Sequence, residues 1–406
     1  AFLEFTDRVI HLSDGEFVTI RPDGLRTVDA DGAPVVPAVE TVEWSAEDVG
    51  KGGYDHYMRK EIDEQPGALR QAVRGRVLED GSIRLDLPEE TFTETRRVQF
   101  VGCGTSFHAA KYATELCIRR EIPAAAFLAS EYVASPPPVP DDTLVVGVTQ
   151  SGETADTLRA LRTVESARTL ALTNHVNSTA ARECDDVLPI HAGPEIGVAA
   201  TKTFSSQVAT AGLLLERLAE AHPDATPAGE PFRTALLSLP DAVERLLDRT
   251  DVEDVVRAQD GAAAYFFVGR GTGYAVALEG ALKFKEITYE HAEGFAAGEL
   301  KHGPLALVTD RTPVFGVLTG EGTNDERTRH NLEEARSRGA PIVVATTTPE
   351  TVRGVADHVL TLPDTHPELA GVLANVQFQL LAYHAAAALD RAIDKPRNLA
   401  KSVTVE

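Results

Sequence analysis

A chain of 406 residues is long enough for two or three domains with sizeable cores, and its 43% hydrophobic content is that of an ordinary globular protein, with no apolar run near the ~18 residues of a membrane span. Thirty-nine basic side chains against 62 acidic ones leave a net charge of −23, which argues against nucleic acid or an anionic membrane as a partner. Cys103, Cys117 and Cys184 make neither a disulfide framework nor a zinc-ligand spacing, and the N-terminus lacks a signal-peptide pattern, so a cytoplasmic protein with no metal and no cofactor is expected. The acids are spread along the chain, as in Glu89-Glu90, Asp141-Asp142 and Asp185-Asp186, which reads as a salt-adapted surface. Lysine is scarce, nine against thirty arginines, and arginine cannot replace an amine that must lose its proton.

Residues 1–45 alternate short β-like runs (VIHL, EFVTI, RTVDA, VETVEW) with Asp-Gly turns, a meander too small to stand alone and expected to be the end of a larger domain. From Lys51 the text changes to KGGYDHYMRKEIDEQPGALRQAVRGRV, predicting a helix over Tyr54–Gln65, stopped at Pro66, and a second to Arg74. An apolar strand at Val98–Val101 then enters the turn Cys103-Gly104-Thr105-Ser106 before an amphipathic helix. A second strand, TLVVGVT, runs into Thr149-Gln150-Ser151 and Thr154 before another helix. Strand, glycine turn and helix N-terminus hold anions with backbone N–H groups and hydroxyls, and two such turns on neighbouring strands would form a phosphate cradle at the carboxyl ends of a parallel sheet. Strands RTLALTN and DDVLPI follow, then GPEIGVAATKTFSSQ and a long apolar helix.

Residues 221–232 have linker composition, and beyond them the pattern repeats. Val101 of VGCGTS has its echo in Val268 of VGRGTG; Gly147 answers to Gly316, Asp185 to Asp357, and Gln207 to Gln377, all at spacings near 170 residues. The chain therefore reads as α/β, with two copies of one parallel-sheet domain. The first copy keeps the hydroxyl-rich turns and reads as the binder. In the second the corresponding turn is LTGEGT, and the chemistry lies in the stretch from Tyr274 to Leu307. There Glu279, Lys283 and Glu286 fall at i, i+4 and i+7 on one face of an otherwise apolar helix, as side chains bordering a pocket would. Glu299, Lys301 and His302 follow in a polar loop, so carboxylate, amine and imidazole are available for proton transfer on a sugar. The ending DKPRNLAKSVTVE breaks any helix and holds Lys401 where an amine could close over a site.

KGGYDHYMRKEIDEQP, VGCGTSFHAA, VTQSGETADT, EIGVAATKTF, ALEGALKFKEITYEHAEGFAAGELKHGPLAL and DKPRNLAKSVTVE resemble the motifs of the glutamine–fructose-6-phosphate aminotransferases, specifically their isomerase half of two SIS (sugar isomerase) domains. The resemblance implies a glutaminase remnant over 1–50, a first SIS domain over 51–235, a second over 236–390 and a catalytic tail over 391–406. Residues 1–45 are similar to the end of the family's glutaminase domain; its catalytic cysteine has no counterpart here, so ammonia rather than glutamine is the expected donor. The resemblance assigns the phosphate of fructose 6-phosphate to Ser106, Thr149, Gln150, Ser151 and Thr154, beside Cys103, Gly104 and Thr105. It makes Lys401 the imine-forming amine, Glu286 the base between C1 and C2, Lys283 and Glu279 its relay and orienting partners, and His302 the ring opener, reaching the neighbouring subunit of a homodimer. Val198, Ala200 and Ala400 are expected to line the sugar. Thr149 and Ala200 stand where the family commonly has serine, which keeps one hydroxyl and loses the other. Two rivals are an isomerase or deaminase of the same fold without an amino donor, and a non-catalytic phosphosugar sensor. Lys401 speaks against the first, and the joint presence of Glu286, Lys283, His302 and Lys401 against the second.

Overall fold

The computed structural model describes residues 6, 8–10, 12, 15–37, 39–41, 50–259 and 261–404. Residues Ala1–Gly53 form a compact unit separate from Tyr54–Glu406. In the first unit, β2 (Phe17–Arg21), β3 (Gly24–Val28) and β4 (Pro34–Val35) make an antiparallel meander, and β1 (Arg8–Val9) pairs with β5 (Glu40–Thr41). The meander predicted from the Asp-Gly turns is present, although the second half of the VETVEW run, residues 42–44, lies outside the described residues. Phe17 and Ile20 are exposed on β2, as expected where so few strands cannot bury both faces.

The second unit opens with α1 (Tyr57–Asp63) and α2 (Gln65–Val73). The first helix begins three residues later than predicted, and the break falls at Glu64 rather than at Pro66. Pro66 lies in the first turn of α2, where its missing N–H has no intrahelical partner to lose. After α3 (Glu89–Thr93) come β6 (Arg97–Gly102), α4 (Gly104–Arg119), β7 (Ala124–Leu128), α5 (Ala129–Ala134), β8 (Thr143–Thr149), α6 (Ala155–Arg162), β9 (Arg168–Thr173), α7 (Thr179–Glu183), β10 (Asp186–Pro189) and α8 (Lys202–Ala221). Their five strands form a parallel sheet in the order β10-β9-β8-β6-β7. Every residue of β8 is buried, the continuous apolar run of a strand covered on both faces.

Helices α9 (Glu230–Leu247) and α10 (Val252–Ala258) lead to the second set: β11 (Tyr265–Gly269), α11 (Thr272–Thr288), β12 (Ala292–Ala296), β13 (Val314–Leu318), α12 (Thr323–Arg336), β14 (Ile342–Thr346), β15 (His358–Thr361) and α13 (Pro367–Ala388). Its parallel sheet runs β15-β14-β13-β11-β12, the order of the first sheet strand for strand. The repeat reaches the packing. A Cβ on Gly147 of β8 would lie 2.6 Å from Cδ1 of Leu161, and one on Gly316 of β13 would lie 2.6 Å from Cδ1 of Leu332. Each glycine makes room for the leucine of the helix that follows its strand. The boundary drawn at residue 235 falls inside α9, and the stretch of linker composition is irregular over residues 222–229, between α8 and α9.

The copies share one core. Buried Phe204 of α8 and Phe378 of α13 belong to a single apolar cluster with Leu116 of α4 and Phe284 of α11. Arg120, 1% exposed, sits in that core with Nε 3.0 Å from Glu216 of the first copy and Nη1 3.0 Å from Glu368 of the second. Removing one partner of such a group leaves a buried charge uncompensated, so it holds the copies in register.

Candidate active site

The first cradle is built where β6 and β8 end. Gly104, at φ +53°, opens α4 just after Cys103, a backbone conformation that glycine adopts without cost. Across from it, Thr149-Gln150-Ser151-Gly152 turns the chain from β8 toward α6. Thr149 Oγ1 accepts from the N–H of Gly152 at 3.1 Å and lies 3.4 Å from Thr154 Oγ1; Ser151 Oγ accepts from the N–H of Glu153 at 3.1 Å. Ser106, on the first turn of α4, accepts from Gln207 Nε2 at 3.0 Å. Four of the predicted phosphate ligands thus stand on two adjacent strand ends, oriented by local hydrogen bonds. Thr105 is turned elsewhere: its hydroxyl donates to Glu279 of the second copy at 2.9 Å.

That contact joins the cradle to α11. Glu279 is fully buried and also meets His108 Nδ1 at 2.7 Å. One turn on, Lys283, 1% exposed, has Nζ 3.5 Å from Glu279 and 2.6 Å from Glu286, whose side chain keeps some exposure. Burial works against the Lys283 ammonium, yet Glu286 and Glu279 outweigh it and hold its pKa above the ordinary lysine value, with Glu195 adding to their field. Lys283 is therefore a fixed cation, and Glu286 is the partly accessible carboxylate at the end of the line. The stripe predicted from i, i+4, i+7 spacing is real and faces inward, not a row of exposed pairs.

The tail closes over the same region. Asp394 anchors it: its carbonyl accepts from the N–H of Val198 at 3.1 Å and its carboxylate from the N–H of Met58 at 3.1 Å. The guanidinium of Arg397 lies 4.5 Å from the centre of the Tyr289 ring, and its backbone N–H donates to the Tyr289 hydroxyl at 3.0 Å. Ser402 Oγ meets Ser151 Oγ at 3.0 Å, and Val403 accepts from the N–H of Ala155 at 3.1 Å. Between these anchors Lys401 Nζ lies 2.5 Å from Oε2 of Glu195. Ala400 is exposed and Ala200 half-buried.

Glu195 stands in the loop between β10 and α8. Burial pushes its carboxyl up, but Lys401 and the N–H groups of Thr201 and Thr203 overcome that and hold it at about 2. Glu61 of α1 accepts from the N–H groups of Ile196 and Gly197 on the same loop, and burial together with the charge of Glu195 pushes it up to about 7. His302, by contrast, is exposed at the end of a 3-10 turn over Ala297–His302, and Lys301 pairs with Glu334 at 3.2 Å on the surface. The structure does not gather the Glu299–His302 loop with the α11 line.

Residues 91–217 and 262–389 each match the SIS domain family. A glutamine–fructose-6-phosphate aminotransferase (isomerizing) of Halobacterium salinarum is 51% identical over 415 residues, covering 100% of this chain and 68% of that protein. The chain belongs to the glutamine–fructose-6-phosphate aminotransferase family. A family member from Thermus thermophilus is 41% identical, again over 100% of this chain and 68% of its own length. The C-terminal domain of the aminotransferase from Francisella tularensis superposes with a TM-score of 0.77 at 34% identity, covering 86% of this chain and 99% of that one. A glucosamine-6-phosphate deaminase of Thermotoga maritima, TM-score 0.65 at 24% identity, shares the fold alone. Within the aminotransferase fold, sequence reasoning missed three side chains: Glu61, His108 and Glu195. Each stood inside a motif already singled out, KEIDEQP, GTSFHAA and EIGVAATKTF, but periodicity gives no sign of a partner 130 to 210 residues away. Among the described residues no cluster of His, Cys, Asp and Glu could hold a metal ion, and no helix is long and apolar enough to cross a membrane.

Proposed function

We propose that this chain converts fructose 6-phosphate and ammonia to glucosamine 6-phosphate. The observation that carries the reading is the convergence of Lys401 and Ser402 from the tail on the hydroxyl cradle, beside the buried Glu279–Lys283–Glu286 line. The phosphate would sit among Ser106, Thr149, Gln150, Ser151 and Thr154, whose hydroxyls and amide suit an anion. The Lys401 amine would attack C2 of the open-chain sugar; two of its ammonium protons leave with the carbonyl oxygen as water, and a protonated imine remains. Ammonia then displaces the lysine. Glu286 withdraws a proton from C1 and returns it to C2, leaving an aldehyde at C1 and the amine at C2. Lys283, held cationic between two carboxylates, orients Glu286. Exposed His302 is free to open the furanose ring in a second subunit, so the working unit is a homodimer with shared sites. Phosphorylated sugars are metabolites of the cell interior, which fits a cytoplasmic enzyme.

The test is glucosamine 6-phosphate formation in high salt with ammonium or glutamine as donor, the Lys401→Ala variant beside the parent. Product with ammonium, lost in the variant, supports the reading. Glucose 6-phosphate formed without a nitrogen donor, with the variant unimpaired, would favour a plain phosphosugar isomerase.

A further inference from the structure

Glu195 is an unusual carboxylate. Its side chain is fully buried, yet it is surrounded by donors. Oε1 accepts from the N–H of Thr201 at 2.9 Å, the hydroxyl of Thr201 at 3.2 Å and the N–H of Thr203 at 3.0 Å. Oε2 accepts from the Thr203 hydroxyl at 2.9 Å and from Lys401 at 2.5 Å. The loop is itself held by Glu61, which accepts from the N–H groups of Ile196 and Gly197 and packs so closely that a Cβ on Gly197 would lie 2.9 Å from Glu61 Oε2. A loop ordered on both sides to present one anion to one amine is more than the tail's packing demands, since Asp394, Arg397, Ser402 and Val403 already anchor it.

We infer that Glu195 is the counter-ion of the Lys401 nitrogen throughout turnover, pairing first with the ammonium and then with the protonated imine which that nitrogen becomes. The inference rests on the imine reading given above. Its chemistry balances without another reactant. An ammonium and a carbonyl give a protonated imine and water, so nitrogen carries one positive charge before and after, and Glu195 stays an anion. The fixed carboxylate therefore has no need to reorganise as the C–N bond forms, which is the condition for effective electrostatic stabilisation. It also keeps the imine protonated, and only the protonated imine withdraws electrons strongly enough to activate C2 toward ammonia. Glu195 is held too acidic to serve as a base, which separates its role from that of Glu286.

The test is borohydride reduction of the full chain in the presence of fructose 6-phosphate, with the sugar adduct on Lys401 read by intact and peptide mass, alongside kcat and KM with ammonium. Glu195→Gln is isosteric and keeps an oxygen for the threonine donors; Glu195→Asp keeps the charge but draws it back by one methylene. A counter-ion role predicts that Gln lowers adduct and kcat by about tenfold or more with KM for the sugar within about twofold, and that Asp is milder than Gln. A role in holding the loop predicts the opposite order, Gln benign and Asp harmful, and that result overturns the inference. If Gln fails to fold, as read by thermal melting, the Asp variant decides: adduct above half the parent level supports the counter-ion, and a folded Asp variant without adduct sinks it. A parent protein that gives no adduct on Lys401 removes the imine reading and this inference together; a parent that traps beside a Gln variant that traps equally removes only this one.

Discussion

Nδ1 of His108 lies 2.7 Å from Oε2 of Glu279, and through that contact α4, which follows the Cys103–Ser106 turn, touches α11, which carries the Glu279–Lys283–Glu286 line. The two residues are separated by 171 positions and belong to different copies of the repeat. The hydroxyl-rich turns and the charged helix are therefore not merely adjacent in this fold; one side chain of each copy completes the other's hydrogen bonding.

Removing that imidazole should be felt twice. In His108→Ala the fully buried Glu279 keeps Thr105 and the more distant Lys283 but loses a charge-assisted bond, at a cost of about 1–3 kcal/mol of stability. Equilibrium urea unfolding measures the loss. Turnover with ammonium should fall more than KM for the sugar rises, because the α11 line rather than the cradle is disturbed; an unchanged kcat would show that Glu279 does not need the imidazole.

Gly152→Ala should disable the cradle outright. Gly152 has φ +69°, and a Cβ there would lie 1.9 Å from Ser178 Oγ and 2.3 Å from Ser178 Cβ. Backbone strain and overlap together should cost about 2–4 kcal/mol and raise KM for fructose 6-phosphate. A melting temperature within about a degree of the parent would contradict the packing described for this turn.

Stability should fall as pH rises toward neutrality, and Glu61 should be the reason. Its carboxyl is pushed up from 4.5 to about 7 in the folded chain, so between those values the folded chain holds a proton that the unfolded chain has released. A raised pKa of this kind contributes stability that is fully present below about pH 4.5 and lost as pH rises through about 7. Glu195, held low, acts with the opposite sign: its contribution is present above 4.5 and lost only as the pH falls toward 2. Melting curves of parent and Glu61→Gln at about pH 5, 6, 7 and 8 lie above the range in which Glu195 titrates, and the variant should lose the downward slope between about pH 5 and 7. Parallel curves would remove Glu61 as its source.

A net charge of −23 on a surface with few lysines predicts salt dependence. Self-repulsion among dispersed acids is screened within about 10 Å at 0.1 M salt and about 3 Å at 1 M. Far-ultraviolet circular dichroism should show melting temperature rising with potassium chloride over this range, most steeply at its lower end. A flat profile would mean that the acids are paired well enough not to repel.

The doubled sheet was legible because its signals are local. Val101 and Val268 end strands by the same turn, and Gly147 and Gly316 mark the same close approach of a leucine, so the repeat shows in the order of residues. The Glu279–Lys283–Glu286 stripe was legible for the same reason, as helical spacing links it within two turns. The partners of those groups were not. His108 reaches Glu279 only once the two copies pack together, Glu195 reaches Lys401 only once the tail has closed, and Glu61 reaches Gly197 only once α1 lies against the loop after β10. Nor could spacing show that Thr105 faces Glu279 rather than the cradle, because a helix's first turn offers its hydroxyls to either side. The break at Glu64 was missed by two residues since a proline both ends and begins helices.

The amine at residue 401 is stitched down by contacts running from Asp394 to Val403, all of them synthesised after the last strand and the last long helix. A chain that stops short of residue 394 keeps both sheets, the hydroxyl-rich turns and the α11 carboxylates, yet has none of these contacts. On the imine reading proposed above, such a shortened chain would hold a phosphosugar that it cannot convert.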